Sequence, residues 1–397
     1  MAWDLVKVED QRKELINLYY ESGLSMSDIC KMFGVSRKTG YKWLRRFEID
    51  GNLGLLDLPK TPIQPCRIYS ENQIETAIGL KCKYLKWGPK KILAKLQREF
   101  PDQQWPSNTW LYEIFKKQGL ATKRRFRRKI PATHPLGDVT GANDVWMADF
   151  KGWFKTGDGT KCEPFTVTDG HSRFVICSLH LKKKDTANVW AVMDQAFREF
   201  GLPLRLRTDN GPPFGSTGAG RLTKFSVNLI KAGVFPEWIE PGCPEQNGQH
   251  ERFHLTLKQA IASPPAKNLS FQLRKMREFI EEYNFDRPHE ALNMLTPSNF
   301  YTHSERSWDG ILRSPEYDSS EGKIRKVSAG GTIRVHQYET YVGQALSGEY
   351  VLLKEGAHEG DDVFYGPVFL GKFLPEKGIY KPKINQFRMG EKCYPCR

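Results

Sequence analysis

Apolar residues recur at helical spacing through roughly the first 120 positions, then give way to short apolar runs alternating with helical stretches, and finally to short alternating runs alone. Over residues 10 to 48 the pattern predicts three helices. The first carries Leu15, Ile16, Leu18 and Tyr19; the second opens at Ser25 with Asp28 three residues on and buries Ile29 and Phe33. Gly34-Val35-Ser36 makes a turn, and Ser36 caps a third helix, RKTGYKWLRRF, with Tyr41 and Leu44 inward and Arg37, Lys38, Lys42 and Arg45 in water. Gly40 inside that helix costs about 1 kcal/mol against Ala, so the helix is expected to take much of its order from packing or from a partner.

Helix, Gly-containing turn and basic helix is the layout of a helix-turn-helix, whose second helix enters the major groove of DNA; the rival is a small bundle with a solvated charged face. This unit spans residues 1–50, and the Gly- and Pro-rich stretch 51–68 reads as a linker. Residues 69–122 are expected to form a second helix-turn-helix-like unit, the rival being a purely structural spacer: Ser70 caps ENQIETAIGLKCKYL, Gly88-Pro89 starts KKILAKLQREF, and Ser107 caps NTWLYEIFKKQGL with Trp110, Leu111 and Ile114 inside. A basic linker, 123–140, opens with Lys123, Arg124, Arg125, Arg127, Arg128 and Lys129 around a single Phe. Between two DNA-binding units such a run is expected to track phosphates.

From 141 to 302 the pattern is that of an α/β core. Val145 to Phe150 is an apolar strand interrupted by Asp149, and Pro164 to Thr168 and Arg173 to Leu179 are strands joined by a turn at Asp169-Gly170. Thr186 to Phe200 is an amphipathic helix with Val189, Val192, Met193, Ala196 and Phe197 inward. A strand ending at Asp209, a helix from Leu222 to Ala232, a strand at Phe235 to Ile239 and two further helices complete a mixed sheet flanked by helices. After a linker (303–322), residues 323–376 show short alternating runs broken by Gly, which predicts a small β-barrel, and 377–397 form a tail. Cys393 and Cys396 in that tail are a lone CxxC, half of what structural zinc needs.

Composition narrows the partners. A net charge of +14 points to a polyanion, since Lys and Arg gain affinity on phosphates by releasing counterions. The eight cysteines are scattered rather than paired in a disulfide framework, which fits a reducing compartment. With no long apolar window, the chain is expected to be cytoplasmic and nucleoid-associated, without a membrane. Three acids stand out by context: Asp149 within an apolar strand, Asp209 at a strand end, and Glu251 on a helix face shared with His254 and Lys258. Hard oxygen donors on separate elements select Mg²⁺ or Mn²⁺, and two such ions about 3.5 to 4 Å apart suit in-line phosphoryl transfer. No Gly-rich phosphate loop with a Walker lysine is present, so the phosphate belongs to a nucleic-acid backbone and not to a nucleotide cofactor. Thirty-five residues separate Asp209 from Glu245 and forty-one separate it from Glu251. Glu245 sits in a Gly- and Pro-flanked loop that holds a ligand poorly, so a helix-borne Glu251 is favoured.

The segments DVWMADFKGWF, LRTDNGPPF and EQNGQHERFHLTLK, followed by YNFDRPHEAL, resemble the core of insertion-sequence transposases of the retroviral-integrase-like DDE superfamily. The resemblance implies an RNase H-like core in which Asp149, Asp209 and Glu251 hold two divalent ions and Lys258 contacts DNA near the site. It implies a transposase that binds double-stranded transposon ends, exposes a 3′-OH and joins it to target DNA, acting as a homodimer or larger synaptic assembly. The alternatives are a silent DNA-binding regulator of the same fold and a nuclease that cuts without joining. The interval before Glu251 exceeds the family's usual one, and GSTGAGR, Gly215 to Arg221, reads as an inserted loop. Retroviral relatives begin with a His/Cys zinc module, where this chain has helix-turn-helix patterns.

Overall fold

The computed structural model describes residues 8–58, 69–121, 136, 138–356, 360–375 and 377–380. The Lys123 to Lys129 run and the Cys393/Cys396 pair lie outside these residues. The chain divides into two compact units, Met1–Ser70 and Glu71–Arg397.

In the first unit, α1 (Val8–Glu21), α2 (Met26–Met32) and α3 (Arg37–Asp50) enclose Leu15, Ile16, Ile29, Cys30, Trp43 and Leu44. Ser25 and Ser36 cap α2 and α3 by accepting the amides of Asp28 and Thr39. Tyr41, expected inside, is 54% exposed, and Trp43 takes the inward position. The Arg12 guanidinium covers the Trp43 ring at 3.8 Å and donates to the Leu55 carbonyl at 2.7 Å, holding residues that follow α3 against the bundle. Gly40 also has a packing role: a Cβ there would lie 2.5 Å from Cys30 Sγ, so the missing side chain is what lets α2 approach α3.

The second unit opens with α4 (Glu71–Lys83), α5 (Pro89–Glu99) and α6 (Asn108–Lys117), packed around Trp87, Ile92, Leu96, Leu111 and Phe115. Gly88 and Pro89 start α5, and Ser107 caps α6. A mixed α/β core follows. Its strands are β1 (Val145–Phe150), the small β2–β3 hairpin (Phe154–Lys155, Lys161–Cys162), β4 (Pro164–Asp169), β5 (Val175–His180), β6 (Arg205–Thr208) and β7 (Phe235–Trp238). Its helices are α7 (Thr186–Phe200), α8 (Lys224–Lys231), α9 (Gly248–Ile261) and α10 (Leu269–Glu281). The main sheet runs β5-β4-β1-β6-β7, antiparallel from β5 to β1 and parallel from β1 to β7. Trp146, Ala148, Phe165, Val167 and Leu206 face α7 and α8, while Val175 packs with Phe253, Leu257, Met276 and Phe279 of α9 and α10. Both faces are therefore covered, as an apolar central strand requires. Asp169, expected in the turn, instead ends β4, and its buried carboxylate holds the turn that follows by accepting the amides of Asn143 and Ser172 and the Ser172 hydroxyl.

The C-terminal strands are β8 (Lys323–Lys326), β9 (Thr332–Val335), β10 (Tyr338–Tyr341), β11 (Tyr350–Glu355), β12 (Asp361–Tyr365), β13 (Val368–Leu374) and β14 (Gly378–Tyr380). They form an open half-barrel, not the closed barrel expected. The sheet order is β14-β13-β12-β11-β8, and β9 and β10 pair only with each other. A barrel closes to bury its inner face, and here the core does that instead. Leu222, Val227, Ile230 and Trp238 join Val351, Leu353, Tyr365 and Leu370 in one cluster. The loop from Gly215 to Arg221 is part of this seam, for a Cβ at Gly220 would meet Leu370 at 2.5 Å. Among the described residues no helix is long and apolar enough to cross a membrane.

Candidate active site

β1 and β6 are parallel neighbours with Val145, Trp146 and Met147 opposite Arg205, Leu206 and Arg207. Continuing that register by two residues sets Asp149 beside Asp209, at the carboxyl ends of adjacent strands where open α/β sheets bind ligands. Asp149 accepts the Phe150 amide at 2.7 Å, and Asp209 accepts the Gly211 amide at 3.2 Å. Asn210 ties the turn down by donating to the Ile239 carbonyl and accepting from Arg221. Burial, and then the neighbouring Asp209 charge, push the Asp149 carboxyl up to about 6; Lys151 and Lys184 oppose them. Burial likewise raises Asp209, against the Gly211 amide and Lys184.

Helix α9 lies over Asp149. Thr166, opposite Asp149 in the β1–β4 pair, donates its hydroxyl to the Asp149 carbonyl at 3.1 Å and meets Nε2 of both His250 and His254 at 2.8 Å. Thr168 meets His250 Nδ1 at 2.8 Å. Burial keeps both imidazoles neutral, with His254 down at about 3 and His250 well below its usual value. One assignment satisfies every group: each Nε2–H donates to Thr166, and Thr168 donates to His250 Nδ1. In that assignment the His254 Nδ1 lone pair lies 3.9 Å from Asp149 Oδ2.

Two half-buried carboxylates supply oxygen donors of the kind Mg²⁺ or Mn²⁺ takes, and their raised pKa values mark a place where a cation would relieve like-charge repulsion. The third acid is not with them. Glu251 is exposed in the first turn of α9, and Glu245 lies in a 3₁₀ turn, Pro244–Asn247, beside Cys243. Among the described residues no group of three His, Cys, Asp or Glu is arranged to hold a metal. Lys258 is exposed near Lys151, whose ammonium is pulled down by burial and by Lys258. On the first unit Arg37, Lys38, Lys42 and Arg45 are exposed, whereas the Ser36 hydroxyl is engaged in capping α3.

Families described as integrase core domain match residues 139–244 and 232–297, and a helix-turn-helix domain family matches 11–62. An uncharacterised 31.7 kDa protein of insertion element IS407 from Burkholderia multivorans is 26% identical over 236 residues, covering 58% of this chain and 81% of that protein. The IS476 protein of 39.2 kDa from Xanthomonas euvesicatoria is 25% identical over 229 residues, covering 56% and 62%. The integrase-core and helix-turn-helix matches and the insertion-element relatives together support an insertion-sequence transposase of the integrase-like kind. A putative integrase of Spiroplasma virus SpV1-C74 is 30% identical over 109 residues, covering 25% of this chain and 30% of the viral protein. Among solved structures, the HTLV-2 integrase catalytic core in complex with magnesium aligns at 19% identity and a TM-score of 0.33, over 41% of this chain and 98% of that one. A simian T-cell lymphotropic virus intasome chain aligns at 15% and 0.37, over 71% and 99%.

Three features of this site lay outside the sequence reading: Lys184, Lys151, and the joining of His250 and His254 to Thr166. Lys184 pairs with Glu163 at 2.6 Å and lies 4.7 Å from the Phe150 ring centre. Its only local signal is the Lys182 to Lys184 run ahead of the α7 cap. His250 and His254 could have been found, because an i, i+4 pair lies on one helix face beside Phe253 and Leu257.

The Asp149 shift has a stability consequence. Its folded value lies above the unfolded one near 4, so its contribution is fully present below pH ~4 and is lost as pH rises through about 6. At pH 8 without divalent ions, Asp149→Asn is expected to stabilise the second unit by on the order of 2 kcal/mol, with little gain at pH 4. Thermal melts at the two pH values check this, and equal gains at both would show that charge burial is not the cause.

Proposed function

We propose that this chain is a DNA transposase that binds transposon ends, cuts them to expose a 3′-OH and joins that end to target DNA. The observation that carries the reading is the Asp149–Asp209 pair, half-buried at the ends of neighbouring parallel strands in a chain that matches the integrase core and insertion-element proteins. Asp149, Asp209 and Glu251 would hold two Mg²⁺ or Mn²⁺ ions, which when bound supply Lewis acidity at the attacking and leaving oxygens. The protein's own groups do the positioning. Thr166 and the two histidines lock α9 onto β1 and β4 and so set where Glu251 starts, while Lys151, Lys184 and Lys258 place cations around the carboxylates for a phosphodiester. On the first unit Arg37, Lys38, Lys42 and Arg45 would read end sequence from an α3 capped by Ser36. The helices of 69–122, Lys123 to Lys129 and the half-barrel would hold backbone. Two ends are handled together, so a homodimer or larger synaptic assembly is part of the proposal, as is a cytoplasmic, nucleoid-associated location.

Incubating the full chain with a labelled element end carrying a 3′-OH, supercoiled plasmid and Mg²⁺ tests the reading. Joined product is expected. Cleavage without joining makes the chain a nuclease, and binding alone makes it a regulator.

A further inference from the structure

Helices α4 to α6 dock on the core through the YNFDRPHEAL stretch. Trp87 Nε1 donates to Glu282 at 2.8 Å, Lys95 Nζ pairs with Asp286 at 2.9 Å, and Arg98 donates to the Asp286 carbonyl at 3.0 Å. The π-helical turn Glu282–Asp286 that ends α10 thus forms the seat of the helical unit. Beside this seat, cations from four separate segments converge. Lys91 on α5 lies within charge–charge range of Arg287 and Arg252, and His289 lies within range of Lys91, Arg287 and Arg173. Glu282 and Glu290 are the acids Lys91 feels, and Glu282 is already shared with Trp87 and Arg287, the latter at 3.6 Å.

Two atoms in the cluster are unsatisfied. Arg173 Nε and His289 Nε2 are buried without a hydrogen-bond partner among the described residues, and His289 is only 9% exposed. Arg173 itself sits at a φ of +65°, a left-handed conformation that a bulky side chain rarely adopts without compensation. Four cations facing two acids, with two idle nitrogens, are poorly balanced for a purely structural seam. We propose that Lys91, Arg173, Arg252, Arg287 and His289 form a phosphate-binding site that holds a phosphodiester of the DNA backbone, at the seam between the α4–α6 unit and the core. Arg252 is exposed and opens the site to solvent, whereas Lys91, Arg173 and Arg287 are half-buried and would meet an anion in a low-dielectric setting. The burial and like charge that bring Lys91 down to about 7 are what a bound anion would reverse. Arg252 is on α9, one residue after Glu251, so a phosphate held here would fix the strand on the helix that carries the third carboxylate.

The site rests on the DNA-binding reading above, and two measurements separate the two. In the first, full-length wild type and Lys91→Gln/Arg252→Gln bind a duplex of random sequence across a salt series. The variant is expected to bind more weakly, with the slope of log K against log salt reduced by about one for the lost phosphate contact. In the second, melting is followed with inorganic phosphate against chloride at equal ionic strength. Phosphate is expected to raise the wild-type melting temperature, and the variant's by less than half as much. Unchanged slope and affinity in the variant overturn the DNA-phosphate site. A wild-type chain that fails to bind duplex at all removes the DNA-binding reading, and an equal phosphate effect in both proteins then overturns the anion site as well.

Discussion

Asp209→Asn is expected to bind duplex DNA as the wild type does and to lose cleavage and joining by ~10³-fold or more, the several kcal/mol that divalent-ion assistance contributes to phosphoryl transfer. Asn keeps the shape of Asp, and its oxygen still accepts the Gly211 amide that holds the turn. The strand, the Asn210 clamp and the exposed cations of the first unit are untouched, so binding has no reason to fall. What disappears is one of two charges at adjacent strand ends. With it gone, the second-largest cause of the raised Asp149 pKa is also removed, so Asp149 should ionise more readily while holding a cation less well. Single-turnover cleavage in Mg²⁺, beside an equilibrium binding curve, checks both halves. Cleavage at the wild-type rate would sink the active-site assignment.

The parts of the fold legible in sequence are those whose signal is local. Ser25, Ser36 and Ser107 announce their helices because a cap is a contact across three residues. Thr186 to Phe200 is legible because one apolar face suffices to define it. Asp149 and Asp209 were legible for a related reason, since an acid inside or at the end of an apolar strand needs a partner. The failures are long-range. Tyr41 and Trp43 are both aromatic and two positions apart, and it is packing against Leu15, Ile16 and Ile29, with Arg12 of α1 over its ring, that makes Trp43 the inward one. Gly40 looks like a weak point until α2 is placed across it. The half-barrel could not be told from a barrel, because its inner face is closed by Leu222, Ile230 and Trp238, a hundred residues earlier in the chain. Lys184 and Lys91 carried no motif at all. Their roles depend on which elements the fold brings beside them.

The same long-range packing explains the stretch between Asp209 and the glutamates, and leads to the second large effect. Glu251→Gln is expected to cut cleavage and joining by ~10³-fold or more, while Glu245→Gln should stay within a few-fold of the wild type. Interval length alone would have selected Glu245. The extra residues of the interval have another use, however, since Gly215 to Arg221 fills the seam with the half-barrel, with Gly220 against Leu370. Glu245 stands in a 3₁₀ turn beside Cys243, and its charge, with that of Glu240, raises the Cys243 thiol behind the larger effect of burial. Glu251 instead precedes His254 by one turn on α9, and His254 is the residue that helix presents to Asp149 at 3.9 Å. Glu251 therefore shares a helix with the side chain that reaches Asp149, whereas Glu245 lies in the turn before that helix, which is the ground for expecting Glu251 to be the third ligand. Rates for both variants should be read together with the rise in melting temperature that Mg²⁺ gives the wild type. Glu251→Gln should lose part of that rise and Glu245→Gln none of it. The reverse pattern in both measurements would transfer the third ligand to Glu245.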